Sequence, residues 1–329
     1  MTPAGWAVVL VALAGACDPR PCEPAWAIEH QSPGGPLLAA WGRGDDDAWL
    51  VGGGLGTGGA RVVRWTGRAV DATAALGIDR PETLWWIWGS PGGALWMVGE
   101  RGLVLRGTIA GDPAAVLPTA TTATLYGVWG SADDDVWIVG GTADGVAGPD
   151  DDVVLHWDGA ALTRVDLPAR GVALFKVWGA AADDLWIVGE RGTLWRRHGG
   201  AWIDHAVATS ASVLTVHGCG ADDAYAVGGR HVWRWDGQAW TEDVTVPAFA
   251  LATGVACGAA EVLVVGAQGL RLRRDRATGA WQDDSLAPYL GTDLHGAWIA
   301  PDGTEVAVGG DYLLPATTRQ GVMARRACR

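Results

Sequence analysis

The stretch Val128-Trp-Gly-Ser-Ala-Asp-Asp-Asp-Val-Trp-Ile-Val-Gly140 has a second copy in the same chain, Val177-Trp-Gly-Ala-Ala-Ala-Asp-Asp-Leu-Trp-Ile-Val-Gly189. In each copy, apolar and other residues alternate up to an Asp-rich turn, and a second apolar run then ends in Val-Gly. Alternation with a period of two, interrupted by a tight turn, predicts a pair of antiparallel strands. The stretch is therefore the hairpin of a repeating unit.

Seven copies of this hairpin follow one another at intervals of about 40 to 50 residues, a period typical of propeller blades. Their Val-Gly glycines are Gly52, Gly99, Gly140, Gly189, Gly228, Gly266 and Gly309. Ten residues before each lies Gly42, Gly89, Gly130, Gly179, Gly218, Ala256 or Ile299, so the pattern predicts a constant spacing within the hairpin. Length variation between copies is expected in the connections outside it.

Two further strands complete each unit. A third apolar run follows Val-Gly, as in His231-Val-Trp-Arg-Trp235, and a fourth begins near Trp202, Trp240 or Trp281 after a short turn. Four antiparallel strands repeated seven times predict an all-β fold, a seven-bladed β-propeller. Such closed β architectures can exceed 300 residues as one domain.

The pattern of Val-Gly-Gly followed by Trp235-Asp-Gly-Gln-Ala-Trp240 resembles kelch-type repeats. The chain is still more similar to exported bacterial propeller lipoproteins of the kelch-like and BNR-like superfamily, which carry "DDVWxVG" repeats. This resemblance covers nearly the whole mature chain and implies the propeller fold. It implies little about activity, because propellers host unrelated functions.

Tryptophan recurs at two positions of the hairpin and is expected to pack between blades, the alternative being a row of ligand-stacking platforms. The first set is Trp41, Trp88, Trp129 and Trp178, and the second is Trp49, Trp96, Trp137 and Trp186. His217 stands where Trp129 stands in its own repeat. A packed or channel-lining role is expected for this histidine.

The last repeat contains only three strands, Leu294 to Ile299, Glu305 to Gly309 and Gly321 to Arg326. Residues 26 to 31 resemble a fourth strand and precede the first complete repeat. We expect them to complete the seventh blade by pairing with residues 321 to 326, which removes an open edge.

This pairing would bring Cys22 close to Cys328, so a disulfide there would staple the ring and add about 2 to 4 kcal/mol of stability. Cys219 and Cys257 lie at equivalent sequence positions in neighbouring repeats, which makes a second bridge plausible. The opposing consideration is distance, because a disulfide needs Cα atoms within about 7 Å.

Residues 1–16 are expected to be a signal peptide with an apolar stretch from Trp6 to Ala16. Residues 17–25 would then be a short linker and residues 26–329 a single propeller domain. Cys17 follows small residues, as in a lipoprotein signal, and would be the lipidated N-terminus. The alternative is ordinary cleavage after Ala14-Gly15-Ala16 and free secretion. An exported chain, in the cell envelope or secreted, is predicted, with membrane contact only through this lipid.

Composition restricts the partner. The chain has a net charge of -13 and one lysine, Lys176, which argues against nucleic acid because neutralising phosphates takes clustered cations. Gly 50 and Trp 21 describe a turn-rich β protein. We expect a monomer whose partner is a protein or a glycan.

The two faces of the ring differ in sequence. One face carries the turns between the first and second strands, with Asp45 to Asp47 and Asp133 to Asp135. These aspartates are expected to bond their own turns, with a cation-attracting acidic rim as the alternative. The opposite face, here called the loop face, carries three insertions, Gly53 to Ala60, Gly141 to Asp152 and Gly310 to Gln320. Insertions gathered on one face predict the binding surface.

The second insertion holds four carboxylates that could bind Ca²⁺ through oxygen ligands, or form a solvated loop. They are Asp144, Asp150, Asp151 and Asp152. No other cofactor and no catalytic residue is predicted, since seven scattered histidines form no H-x-H or H-E-x-x-H.

The function favoured by these patterns is a non-enzymatic binding or scaffolding module. The alternative is a polysaccharide-active hydrolase or lyase, which would need paired carboxylates about 5 to 9.5 Å apart at the channel mouth. A third hypothesis, an assembly chaperone like the propellers of photosystem biogenesis, rests on analogy of fold alone.

Overall fold

The structure is a computed structural model that describes residues 23–55, 58–143, 150–168, 171–286, 288–312, 314–315 and 318–327. In these ranges the chain forms seven four-stranded antiparallel sheets and two short 3-10 segments, Glu100–Gly102 and Ala267–Gly269. The first strand of each sheet contacts the first strand of the next, and the last sheet contacts the first. The predicted seven-bladed β-propeller is confirmed.

The first four blades each run outward from the channel in chain order. Blade 1 consists of β2 (Leu37–Gly44), β3 (Asp47–Gly53), β4 (Ala60–Trp65) and β5 (Ala69–Asp71). Blade 2 consists of β6 (Leu84–Gly89), β7 (Ala94–Gly99), β8 (Val104–Thr108) and β9 (Ala115–Leu117). Blade 3 consists of β10 (Thr124–Ala132), β11 (Asp135–Gly141), β12 (Val153–Trp157) and β13 (Leu162–Arg164). Blade 4 consists of β14 (Leu174–Ala181), β15 (Asp184–Gly189), β16 (Leu194–His198) and β17 (Ala201–Asp204).

The remaining blades follow the same order except at the end of the ring. Blade 5 consists of β18 (Thr215–Gly220), β19 (Asp223–Gly228), β20 (His231–Trp235) and β21 (Trp240–Thr245). Blade 6 consists of β22 (Ala252–Cys257), β23 (Glu261–Gly266), β24 (Arg271–Asp275) and β25 (Trp281–Asp283). Blade 7 consists of β26 (Leu294–Ile299), β27 (Glu305–Gly310), β28 (Gln320–Ala327) and β1 (Ala25–Pro33).

Blade 7 is completed by the N-terminal strand, as the sequence predicted. β1 pairs with β28 antiparallel, with Trp26 opposite Arg326 and Gln31 opposite Val322. The Trp26 side chain is buried, its indole nitrogen donates to Asp284 of blade 6 over 3.4 Å, and the Arg271 guanidinium lies 5.2 Å from its ring. β1 therefore closes its own blade and also anchors it to the preceding one.

Packing between blades explains the Trp-Gly dipeptide of the repeat. The tip of each indole in the first tryptophan set lies within 3 Å of where a Cβ would stand on the matching glycine of the next blade. The pairs are Trp41 with Gly89, Trp88 with Gly130, Trp129 with Gly179, Trp178 with Gly218, and Trp298 with Gly42. The predicted packing between blades is confirmed for this set. The second set, Trp49, Trp96, Trp137 and Trp186, is buried.

The expected constant spacing is wrong in blade 6. Cys257 pairs with Val262 there, as Gly130 pairs with Val136 in blade 3, so Cys257 rather than Ala256 holds the glycine position. The hairpin of blade 6 is one residue shorter, closing with a bond from Gly258 N to Glu261 O. The sequence distance from the Val-Gly pair could not reveal the shorter hairpin, because the missing residue lies in the turn between its two strands.

No helix in the described parts of the chain is long and apolar enough to cross a bilayer.

Candidate functional site

Exposed apolar side chains gather on the loop face, next to blades 6 and 7. Among the described residues eight large hydrophobic side chains are exposed, and five of them belong to connections on this face. These five, here called the apolar patch, are Phe249, Leu251, Leu286, Tyr289 and Leu314. The other three, Val70, Val116 and Ile203, lie on outermost strands of blades 1, 2 and 4. The patch is thus local to one sector of the ring.

A cleft of about 140 Å³ borders the apolar patch. Its apolar walls are Tyr289, Tyr312 and Leu314, and the carboxylates of Asp293 and Asp311 line the same space. Asp293 Oδ1 accepts a bond of 2.8 Å from the backbone N–H of Gln268, which fixes its orientation. The cleft therefore combines aromatic surface with negative charge.

In the Asp-containing turns on the opposite face, the last aspartate of the turn pairs with a basic side chain on the third strand of the same blade. Asp184 accepts two bonds from Arg196, of 2.7 and 2.8 Å, and Asp223 lies 3.0 Å from Arg234. Although burial opposes ionisation, the Arg196 guanidinium keeps the pKa of Asp184 below its usual range. These aspartates hold strands together, so the acidic rim consists only of the outer members of each turn.

The carboxylates predicted as calcium ligands are only partly described. Asp144 lies outside the described residues, while Asp151 and Asp152 are buried. Arg164 contacts both Asp150, at 3.2 Å, and Asp152, at 3.8 Å. The Arg164 guanidinium thus contacts carboxylate oxygens that a calcium ion would also need. Calcium binding stays a prediction.

The structure joins Cys219 and Cys257 in a disulfide with Cα atoms 5.4 Å apart. The shorter hairpin of blade 6 is what brings them within reach, because Cys219 follows the glycine position of blade 5 while Cys257 occupies that of blade 6. Within the described residues these sulfurs and Asp223 form the one cluster of three metal-ligand side chains, but both sulfurs are bonded to each other. Cys17, Cys22 and Cys328 lie outside the described residues.

The channel end near the loop face is crossed by an aromatic cluster. The ring of Trp85 lies 5.1 Å from that of Tyr126 and 5.8 Å from that of His295, and Tyr126 lies 5.4 Å from Phe175. These side chains come from blades 2, 3, 4 and 7, so the contacts span the axis rather than following one seam. We call this cluster the aromatic plug.

Beyond the plug, the channel holds a cavity of about 210 Å³ lined by the indoles of the first tryptophan set and by Lys176 and His217. No carboxylate is found among the described residues that line it. Glu261 and Asp302 line a shallower groove next to it, and Glu261 is paired with Arg273 at 2.7 Å. The described lining of the cavity therefore offers no carboxylate pair, and Glu261 and Asp302 are the carboxylates of the adjoining groove.

Comparisons with known proteins identify the fold. One similar solved structure is YCF48 bound to D1 peptide, with a TM-score of 0.67 and 16% identity over 95% of this chain and 100% of that one. YCF48 from Cyanidioschyzon merolae gives a TM-score of 0.65 and 14% identity over 92% and 98%. The RRP9 WD40 repeats give a TM-score of 0.72 and 11% identity over 93% and 99%.

At these identities the likeness shows architecture alone. No family model matches the chain, and no curated protein matches it. The ring therefore shares the fold of WD40 and related propeller domains.

Sequence reasoning located the loop face but missed two features of the site. The apolar patch was missed because its members belong to three separate connections, and only the ring places these connections in one sector. The sequence also marks Lys176 as the single lysine, and its place three residues before Gly179 on an inner strand is a signal that it lies at the channel.

Proposed function

We propose that this chain is an exported binding module that holds a protein partner on the loop face, at the apolar patch. The observation that carries the proposal is the concentration of exposed hydrophobic side chains in one sector. Leu286 is 72% exposed and Tyr289 is 57% exposed, although most of their apolar neighbours in the blades are buried. Contiguous exposed apolar surface on a soluble protein is typical of interaction sites.

The partner that fits this surface is an extended peptide segment with apolar residues around a basic one. Leu286, Tyr289 and Leu314 would bury its apolar side chains, and Asp293 and Asp311 would receive a Lys or Arg in the cleft. The net charge of -13 favours approach of a basic segment. The YCF48 structure carries a bound peptide on a ring of this shape, which makes peptide binding by this chain a reasonable proposal.

The N-terminal sequence and the cysteines support export as part of this proposal. The apolar stretch from Trp6 to Ala16 would direct secretion, and Cys17 would carry a lipid in the lipoprotein alternative. The Cys219–Cys257 disulfide fits an oxidising compartment. We propose a cell-envelope or secreted location, with the loop face available to its partner.

The test is capture of partner segments by the purified propeller from a tiled peptide array and, in parallel, from a glycan array. Leu286→Asp should reduce peptide binding roughly tenfold or more, because it places a charge in the centre of the apolar contact. The matched control is Val116→Asp, which changes another exposed apolar residue, on the outer strand of blade 2.

Binding that survives Leu286→Asp, or that both variants lose equally, would place the contact elsewhere. Binding to glycans and not to peptides would support the glycan partner instead.

A further inference from the structure

The single lysine of the chain is buried at the channel. Lys176 on β14 is 4% exposed, and its ammonium donates one hydrogen bond, of 2.7 Å, to the carbonyl oxygen of Tyr126 in blade 3. The same nitrogen lies 4.1 Å from the ring centroid of Trp86. Among the described residues no carboxylate lies within ion-pair distance of it. A buried cation without a counter-ion is costly, so this placement needs an explanation.

The hydrogen bond to Tyr126 explains only part of this placement. Uncharged side chains make the corresponding contacts between other blades, as when the Thr215 hydroxyl donates to Thr253 O over 2.7 Å and the Thr253 hydroxyl to Leu294 O over 2.8 Å. A hydrogen bond between neighbouring inner strands therefore does not require a charged side chain. The lysine adds a positive charge with two further N–H donors, directed to a space that holds no acid among its described lining.

The adjoining cavity can accept a ring-sized molecule. Its volume of about 210 Å³ exceeds that of an engineered cavity of about 150 Å³ which binds benzene. Its walls include the indoles of Trp86, Trp88, Trp129 and Trp178. These indoles give a flat, apolar lining with the ammonium of Lys176 in it.

A second donor lines the same cavity. His217 Nδ1 accepts a bond of 3.1 Å from the backbone N–H of Cys257, so the neutral imidazole carries its proton on Nε2. Burial lowers the pKa of His217 to about 4, which keeps the ring neutral at physiological pH. His295, whose Nδ1 lies 2.6 Å from Leu38 O, is likewise neutral, because burial and the charge of Lys176 lower its pKa to about 4. Tyr126, whose carbonyl oxygen binds the lysine, is titratable as well, and burial first, then the charges of Glu100 and Glu190, raise the pKa of its phenol.

We propose that the channel cavity binds a small monocarboxylate with a flat apolar body, whose carboxylate pairs with the Lys176 ammonium while its body packs between the indoles. This site is separate from the apolar patch, since the aromatic plug lies between the channel cavity and the loop face. The carboxylate of the ligand supplies the counter-ion that Lys176 lacks. The acidic side chains of the protein do not supply it, because none of them is among the described residues that line the cavity.

The probe for this proposal is benzoate, and its neutral partner of the same shape is benzamide. Titration of each into the full-length protein is followed by calorimetry and by tryptophan fluorescence, because several indoles line the cavity. Burial lowers the pKa of Lys176 to about 7, so the ammonium is present at pH 6 and largely lost at pH 8.5. We expect benzoate to bind at pH 6 and to bind roughly tenfold or more weakly at pH 8.5. Benzamide binding should be weaker at pH 6 and independent of pH.

Two variants complete the test. Lys176→Met keeps a side chain of similar length without charge and should abolish the preference for benzoate over benzamide. Leu286→Asp, on the loop face, should leave benzoate binding unchanged, which keeps failure of this proposal distinct from failure of the peptide proposal.

The proposal is overturned if benzoate does not bind at pH 6, if benzamide binds equally well, or if the affinity for benzoate is the same at both pH values. If Lys176→Met does not fold, the pH series and the benzamide comparison on the unaltered protein decide alone.

Discussion

Glu305 shows how a single buried carboxyl group makes stability depend on pH at the interface between blades 6 and 7. The side chain is 0% exposed, and its carboxyl lies 3.4 Å from Arg326, close to Glu261. Burial, and next to it the neighbouring Glu261, raise the pKa of Glu305 to about 8 despite Arg326 and Arg273. In the folded protein this carboxyl is therefore protonated at neutral pH, while in the unfolded chain it is ionised.

The sign of the resulting pH dependence follows from proton binding. Between the unfolded pKa of 4.5 and about 8 the folded state binds the extra proton, so unfolding releases it and stability falls as pH rises. We expect Glu305→Gln to remove this dependence and to melt at a higher temperature than the unaltered protein at pH 8.5.

Thermal unfolding monitored by circular dichroism between pH 5 and 9 measures the effect. Glu23→Gln, at an exposed position before β1, is the matched control and should follow the unaltered protein. A Glu305→Gln curve that runs parallel to the unaltered one would show that Glu305 is ionised in the fold.

At the scale of the strand, the tryptophan of one blade and the glycine of the next form a complementary pair. Between blades 6 and 7 the small and the large residue have changed places. The small Ala256 of blade 6 holds the tryptophan position, and the large Ile299 of blade 7 holds the glycine position. Between blades 5 and 6, His217 replaces the indole and bonds to the backbone of Cys257 instead. The space between neighbouring inner strands is therefore occupied by side chains at each of these blade interfaces, although the residue types differ.

This complementarity predicts that a methyl group at a seam glycine is destabilising. In Gly89→Ala the new Cβ would overlap the indole of Trp41 and should cost about 1 to 3 kcal/mol of the free energy of unfolding. Gly44→Ala is the matched control, since nothing lies within 4 Å of its Cβ position and its backbone is not left-handed. Urea denaturation compares the two, and equal stabilities would contradict the packing described for this seam.

At the scale of the whole molecule, ring closure depends on β1 and on Trp26 in particular. Trp26→Ala removes a buried indole together with its contacts to Asp284 and Arg271, and should cost about 3 to 5 kcal/mol. Val70→Ala, at a half-exposed site on the outer strand of blade 1, should change stability little. Urea denaturation again supplies the measurement. A small loss for Trp26→Ala would mean that the other blades hold the ring without this anchor.

Much of this architecture could be predicted because the information is repeated. Seven hairpins each specify the same two strands, and the resemblance between residues 26–30 and a fourth strand indicated the closure. The features that were missed occur once. The shorter turn before Glu261 cannot be recognised in the sequence, because the Val-Gly pair after it is unchanged. The roles of Lys176 and Tyr289 depend on side chains from distant repeats, which come together only at the channel axis or on the loop face. Local periodicity determines which side of a strand is buried, but not which single side chains converge.

The pairing of β1 with β28 has a consequence for the order of assembly. Within the ring, β1 is synthesised first and its partner β28 last, so β1 must remain unpaired until all seven repeats have been made. Every other blade can form from consecutive residues as they emerge, whereas this one needs both ends of the ring. A nascent or truncated chain thus presents a lone strand and an open sheet edge, a combination that invites pairing with other molecules. Synthesis of β28 and its pairing with β1 remove this hazard.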